Sequence, residues 1–459
     1  MSPEDRRAKL AALPIWQAFL IFLGPMMLAN ILQALSGTIN SVFLGQMIGV
    51  PALAAATAFF PVMFFLISFL MGMGSGAAVL IGQAWGAGET ETVREIAGST
   101  IAIVIPAGFA VSIAGILFAR PMMAALATPP DILDAAAGYA AVLLGAMPLM
   151  FTFFILTQMM RGVGDMVTPL LALLVSTVVG VITTPLLILG WGPLPALGVA
   201  SAAWAGVLGM AVALVWLGFR LRAKDSPFAP NAALLRHVHF NWKVLRTTLK
   251  LGLPTALNMI VMSIAELILL GIVNGYGSHA TAAYGAVNQV LSYLQFPAMS
   301  IGITASILGA QAIGAGTAER LRPIVRTGLL FNVILTGGLI VLAYLLSEPL
   351  MRAFITEPDV IALAQRLLHI VLWSTLLFGM AGVLTGIMRA SGVVIAPTAI
   401  SIGILLLLEV PLAIGLSRAI GIDGVWFAYA ATFTAMFLIQ GAYYRWVWRK
   451  RPIARMALG

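Results

Sequence analysis

Of the chain's 459 residues, 61% are hydrophobic and only 9% charged, against roughly a quarter charged in soluble domains, which excludes a soluble globular or disordered protein. The formal net charge of +9 is what the basic loops of a membrane protein produce, so it makes no case for nucleic acid unless its placement does. Cysteine is absent, which excludes disulfides, thiolate metal sites and cysteine nucleophiles.

The chain opens on MSPEDRRAKLAALP, a charged stretch leading into an apolar run longer than a signal peptide's core and without a small-residue cleavage pattern. An uncleaved first helix is expected. Apolar runs of about 20 residues or more predict twelve membrane helices. They cover 15–42, 52–83, 95–119, 133–160, 166–190 and 196–219, then 247–275, 280–312, 324–346, 358–388, 394–416 and 422–447. Pro25, Pro61, Pro254 and Pro297 are predicted kinks, because proline lacks an N–H and its ring clashes with the preceding turn. The longest polar segment, 220–250, lies near the middle of the chain and predicts an N-terminal six-helix lobe at 1–222, a cytoplasmic linker at 223–245 and a C-terminal six-helix lobe at 246–459. The expected fold class is an all-α polytopic membrane protein, with twelve transmembrane helices in two pseudo-twofold-related lobes.

Basic residues orient this arrangement. With both termini placed in the cytoplasm, the inward segments hold 21 Lys and Arg, and the outward ones hold Arg120, Arg352, Arg366 and Arg418. That split accounts for the net charge by the lipid bilayer alone, with no nucleic-acid partner. It predicts a multi-pass protein of the inner, cytoplasmic membrane.

The two halves are related at a nearly fixed offset. MGMGSGAAVLIGQAWGAG at 71–88 matches MSIGITASILGAQAIGAG at 299–316 with a shift of 228, aligning Gln83 with Gln311 and Gly88 with Gly316. Arg161 falls on Arg389 and Pro169 on Pro397 by the same shift, and Pro185 and Gly198 fall on Pro411 and Gly424 by 226. Six helices per half mean that both halves enter from one side, so the symmetry axis runs along the membrane normal. Parallel repeats of this kind occur in transporters, with a cavity between the halves.

The GQAWGAG and GAQAIGAG helix ends, the RGVGD and RASG segments followed by proline, the GLP opening of the seventh helix and the 6 + 6 repeat together resemble the multidrug and toxic compound extrusion (MATE) family over nearly the whole chain. The resemblance implies a V-shaped pair of six-helix lobes exporting cationic or amphipathic compounds in exchange for H⁺ or Na⁺, with no cofactor. A monomer is expected. Many members of that family carry an Asp late in the first helix and another in the fifth; here Asn40 and Thr184 stand near those places. The N-terminal lobe therefore has no intramembrane carboxylate.

Two acids fall well inside predicted helices, Glu266 in the seventh and Glu409 in the eleventh. An ionisable side chain at that depth costs roughly 2.5–3.5 kcal/mol on insertion scales and is a functional candidate by default. Counted at 1.5 Å per residue, both lie roughly 22–25 Å from the cytoplasmic end. They are the candidate coupling-ion residues; the alternative is a structural carboxylate, or for Glu409 a position near a hydrated kink at Pro411. Asn288, Ser292 and Gln295 share one face of the eighth helix, and their repeat partners Phe60, Phe64 and Ile67 give the other half an apolar wall. Asn288, Ser292, Gln295, Asn40, Phe60, Phe64 and Asn258 are the candidate substrate-binding set, suited to a flat lipophilic cation. Interhelical packing is the competing role for the polar members. His369 is a candidate proton relay or a satisfied structural histidine, Gln83 and Gln311 are expected to shape helix ends, and Asp165 and Asp423 are expected to be solvated in loops. No metal site is expected.

The expected mechanism is proton-coupled antiport by alternating access, in which ionised Glu266, with Glu409, favours a cationic substrate and protonation from outside weakens the site and helps release. Sodium coupling is the second choice, through carboxylate, Asn and Ser oxygens. A lipid-linked saccharide flippase is the nearest alternative function, yet anionic cargo calls for buried Arg or Lys. No HExxH, GxSxG or P-loop pattern is present, so the chain is not expected to be an enzyme.

Overall fold

A computed structural model describes residues 12–190 and 197–456. The charged N-terminal stretch and the first residue of the predicted sixth helix, 196, lie outside the described residues. The protein is all helical there, with no strand among the described residues.

Eleven helices are long and apolar enough to cross a membrane, and a bent pair makes a twelfth span. In chain order these are α1 (Ile15–Ile48), α2 (Pro51–Gly86), α3 (Thr90–Ala125), α4 (Leu133–Gly145 with Met147–Gly162), α5 (Val167–Leu189) and α6 (Ala200–Ala223). They continue as α7 (Trp242–Asn274), α8 (Ser278–Gly314), α9 (Ala318–Leu345), α10 (Pro358–Ala390), α11 (Ile395–Ile420) and α12 (Asp423–Lys450). The 52° bend of α4 follows from Pro148 in the first turn of its second segment, where no N–H is available to continue the ladder. The Ser112 hydroxyl of α3 donates to the Gly145 carbonyl at the break, 3.0 Å away.

The predicted kinks resolve in two ways. Pro61 follows a real break at Phe59, where the helix restarts. Pro25, Pro254 and Pro297 instead sit inside uninterrupted helices. Pro25 and Pro254 nevertheless mark a boundary. The chain divides into one compact unit of residues 24–252 and another of residues 12–23 with 253–456, and each crossing falls within two residues of one of these prolines.

In the first unit, α2 packs on α4 through small residues: a Cβ on Gly162 would lie 2.7 Å from the Ala78 carbonyl oxygen, and one on Gly74 would lie 2.6 Å from Gln158 Cγ. Residues 237–241 dock on the start of α3. Ser99 donates to the His239 carbonyl at 3.0 Å, Asn241 Nδ2 donates to Glu95 Oε1 at 2.9 Å, and His237 Nε2 lies 3.5 Å from Glu91 Oε2. The polar segment between the halves is thus folded against α3 rather than free.

Asp165 corrects the expectation of a solvated loop acid. It accepts from the Thr168 backbone at 3.1 Å and its hydroxyl at 2.7 Å, and pairs with Lys224 at 3.2 Å. Burial works against its charge, but the Thr168 hydrogen bonds and the Lys224 ammonium hold its carboxyl below the ordinary range. Asp423 likewise pairs with Arg366, 3.0 Å away.

The second unit is built on α8, α10 and α12, which bury more of their surface than its other spans. A lipid environment gives helices no hydrophobic drive to associate, so close backbone approach and interdigitation must hold them. The α8–α10 contact shows this. A Cβ on Gly302 would lie 2.9 Å from the Gly382 carbonyl oxygen, and one on Gly386 would collide with the Gly302 carbonyl oxygen. Gly74 and Gln158 of the first unit are the repeat partners of Gly302 and Gly386 at the shift of 228, so one crossing is used twice. Helix ends repeat as well: Gly88 and Gly316 take positive φ of 83° and 72°, one turn after Gln83 and Gln311, whose carbonyls accept from Ala87 and Ala315. Only glycine adopts that backbone without strain.

Replacing Gly386 by Leu should lower the thermal melting temperature of the purified protein by several degrees, from an overpacking cost of about 1–3 kcal/mol. Gly403→Leu, at a position with no atom within 4 Å, should leave it unchanged. Equal melting of the two variants would contradict the glycine-mediated crossing.

Candidate functional site

Glu409 is the last residue of a π-helical turn, Leu405–Glu409, and only 2% of it is exposed. Pro411, two residues on, supplies no N–H to the Leu407 carbonyl, so the α-helical ladder cannot run through this point and a wider turn is tolerated. That turn faces Glu409 into the second unit. Its surroundings are Thr432 of α12 and Glu266 of α7, and neither is cationic. Glu266 itself is exposed on its helix. Neither acid is in an ion pair among the described residues.

Two tyrosines close the cluster. The phenol of Tyr284 on α8 and that of Tyr429 on α12 are 3.0 Å apart, and both lie within electrostatic range of Glu266 and Glu409. Asn288, one turn along α8, lies beside the Tyr284 phenol. Aromatic packing then extends along α12: the Tyr284 ring is 5.4 Å from Trp426, Trp426 is 5.5 Å from Tyr429, and Tyr429 is 6.3 Å from Phe433, which packs 5.1 Å from Phe378. The arrangement places π faces and hydroxyls around two acids.

Its chemistry follows from what is missing in charge. A buried carboxylate without a cation is costly, and a bound cation relieves that cost. Aromatic faces add attraction for an organic cation. Two polar atoms here have no ordinary hydrogen-bond partner, the Trp426 indole N–H and the Thr432 hydroxyl.

The structure therefore brings together Glu266, Glu409 and Asn288. Ser292 is exposed one turn beyond, its hydroxyl bonded to the Asn288 carbonyl at 2.9 Å, and Gln295 is half-buried on the same helix. Asn258 is half-buried two turns before Glu266 on α7. Asn40, Phe60 and Phe64 belong to the first unit: Asn40 is half-buried one turn before the π turn Leu44–Ile48, and Phe60, 64% exposed, is 6.3 Å from the half-buried Phe64. Thr184 is fully buried and its hydroxyl donates to the Gly180 carbonyl of its own helix at 2.7 Å. His369 is exposed beside Gln365 and Arg366, where Tyr344 donates to its carbonyl at 2.9 Å, and it is not among the groups acting on either carboxylate. No group of three or more His, Asp or Glu with metal-binding placement occurs among the described residues.

Tyr284, Trp426, Tyr429 and Thr432 escaped the sequence reading. Tyr284 had a signal, lying four residues before Asn288 on the polar face already noted. The α12 residues had none, since aromatic and hydroxyl side chains are ordinary in membrane helices.

A family model described as MatE matches residues 25–186 and again 254–414. A relative from Bacillus subtilis, described as "Probable multidrug resistance protein YoeA", is 40% identical over 96% of both chains. A protein of Shewanella oneidensis described as "FAD transporter" is 25% identical over 78% of both. A crystal structure of MATE in the bent conformation superposes with a TM-score of 0.87 at 19% identity, covering 96% of each chain, and so shares the fold.

Tyr284→Phe and Tyr429→Phe form a double-mutant cycle on the phenol pair. A coupling of about 0.6–1.7 kcal/mol in thermal or denaturant unfolding is expected for a hydrogen bond in this setting, and additive effects would contradict the pairing.

Proposed function

The chain belongs to the MatE family of transporters, and we propose that it is a secondary active antiporter exporting cationic or amphipathic small molecules, multidrug efflux, in exchange for H⁺. The single observation that supports this reading is Glu409, buried beside Glu266 with no cationic side chain to neutralise either. Such a pair holds one cation readily and two poorly, because a second brought into the same low-dielectric space is repelled by the first. Cargo and coupling proton then exclude one another. That mutual exclusion is the whole requirement for exchange.

In this account, the cytoplasm-facing protein binds a lipophilic cation with its charge near Glu266 and Glu409 and its apolar body against aromatic side chains. Alternating access exposes the pair to the outside, where a proton takes the carboxylate and the cargo leaves. Tyr284, Tyr429, Asn288 and Thr432 supply hydroxyl and amide dipoles close to the acids. If one proton exchanges for one monovalent cation, no net charge crosses and the pH gradient alone drives transport. Sodium is the second candidate ion.

One relative is described as an FAD transporter, and a flippase for lipid-linked saccharides would carry pyrophosphate. Anionic groups ask for Arg or Lys at the site. Two uncompensated acids favour a cation instead. We place the protein in the cytoplasmic membrane with both termini inside, on the basic-residue split.

Reconstituted into proteoliposomes with separately imposed H⁺ and Na⁺ gradients, the protein should move a lipophilic dye cation on the H⁺ gradient. Glu409→Gln and Glu266→Gln should each abolish gradient-driven uptake, a loss of at least tenfold, while leaving the protein folded. Full transport by both variants would remove the pair from the mechanism, and uptake on the Na⁺ gradient alone would replace the ion.

A further inference from the structure

We propose that the basic rim formed by the start of α9 and the end of α12 is a binding site for the phosphate headgroup of an anionic phospholipid. Arg322 and Arg326 stand one turn apart on the exposed face of α9, and Arg445, Arg449, Lys450 and Arg451 are exposed at the end of the chain's last helix. None of the six is in an ion pair among the described residues. Both helix ends border α10: the start of α9 packs on it, Trp448 Nε1 of α12 donates to Ser391 Oγ at its end at 2.8 Å, and the Trp448 ring stacks at 5.2 Å on Tyr444, which lies within electrostatic range of Arg322. The cations are thus clustered by the fold and not merely by proximity in sequence.

Glu319 is the one acid at this end of the second unit among the described residues. Some bases of the first unit have partners within it, while others, Arg236, Lys243, Arg246 and Lys250 among them, are exposed and form the comparison for the test below. Lys224 pairs with Asp165, Arg94 with Glu91, and Arg222 donates to the Pro230 carbonyl at 2.7 Å.

What lies next to the rim selects the partner. Four and eight residues beyond Arg326 on the same face, Leu330 and Ile334 are exposed, 55% and 59%, and on α12 Trp446 and Val447 are exposed beside Arg445. A cationic edge above a continuous apolar face, with an interfacial tryptophan, matches a molecule that carries phosphate and acyl chains together. A free phosphate would use only the charge, and a soluble acidic protein would not meet the apolar face. Basic side chains can extend toward the headgroups while their stems cover the apolar surface below.

Native mass spectrometry of the full-length protein, released from vesicles of phosphatidylglycerol and phosphatidylcholine with matched chains, reads the site. The protein should retain phosphatidylglycerol over phosphatidylcholine by roughly tenfold. The variant Arg322→Gln, Arg326→Gln, Arg449→Gln, Lys450→Gln should lose most of that preference. A variant with Arg236→Gln, Lys243→Gln, Arg246→Gln and Lys250→Gln removes as many exposed charges from the first unit and should keep it. Equal loss in both variants, or no preference in the native protein, overturns the proposal. Displacement of the lipid by glycerol phosphate also overturns it, by assigning the rim to a free anion. Should the first variant fail to fold, Arg449→Gln with Lys450→Gln at the exposed chain end carries the same test, and an unchanged preference there is contrary.

Discussion

The constraint on which the rest depends is a carboxylate that the fold encloses without a counter-charge. Glu409 is buried, its immediate neighbours are a hydroxyl and a second acid, and Tyr284 and Tyr429 lie within electrostatic range. In a low-dielectric interior such a group is tolerated when hydrogen bonds and an exchangeable cation compensate it. The π turn at Leu405–Glu409, permitted by Pro411, turns the acid inward, and the phenol pair of Tyr284 and Tyr429 closes the space beside it.

The duplicated architecture explains why that irregularity stands out. Both units use one glycine-lined crossing, at Gly74 and Gln158 in the first and at Gly302 and Gly386 in the second, and both end a central helix on a positive-φ glycine. The scaffold is thus symmetric where backbones touch. Chemistry is where symmetry is broken: α5 runs as unbroken α-helix through Pro185, whereas its counterpart α11 passes through a π turn before Pro411 and carries an acid there. Thr184, near the family's usual acid position, is satisfied by its own helix.

Much of this was legible from residue order. Apolar runs placed every span to within about six residues, because a bilayer permits little besides a helix about 20 residues long. Glu266 and Glu409 stood out since a membrane helix has few other reasons to carry an acid. What stayed hidden has a common explanation. The docking of residues 237–241 on α3, the Asp165–Lys224 pair and the aromatic wall of α12 all depend on contacts between segments far apart in sequence, made by residue types that are unremarked in loops and membrane helices. Three of the four predicted proline kinks lie in helices that continue through them, so those prolines do not end the element.

The central claim is that cargo cation and proton compete for one acidic pair. Proton release on binding tests it most directly: a lipophilic dye cation is added to the purified protein in weakly buffered solution and the pH is followed. The account predicts that protons leave as the dye binds, and that Glu409→Gln with Glu266→Gln removes that release together with most of the dye affinity. Dye binding of undiminished affinity in that double variant, with no proton released from the native protein, would contradict it.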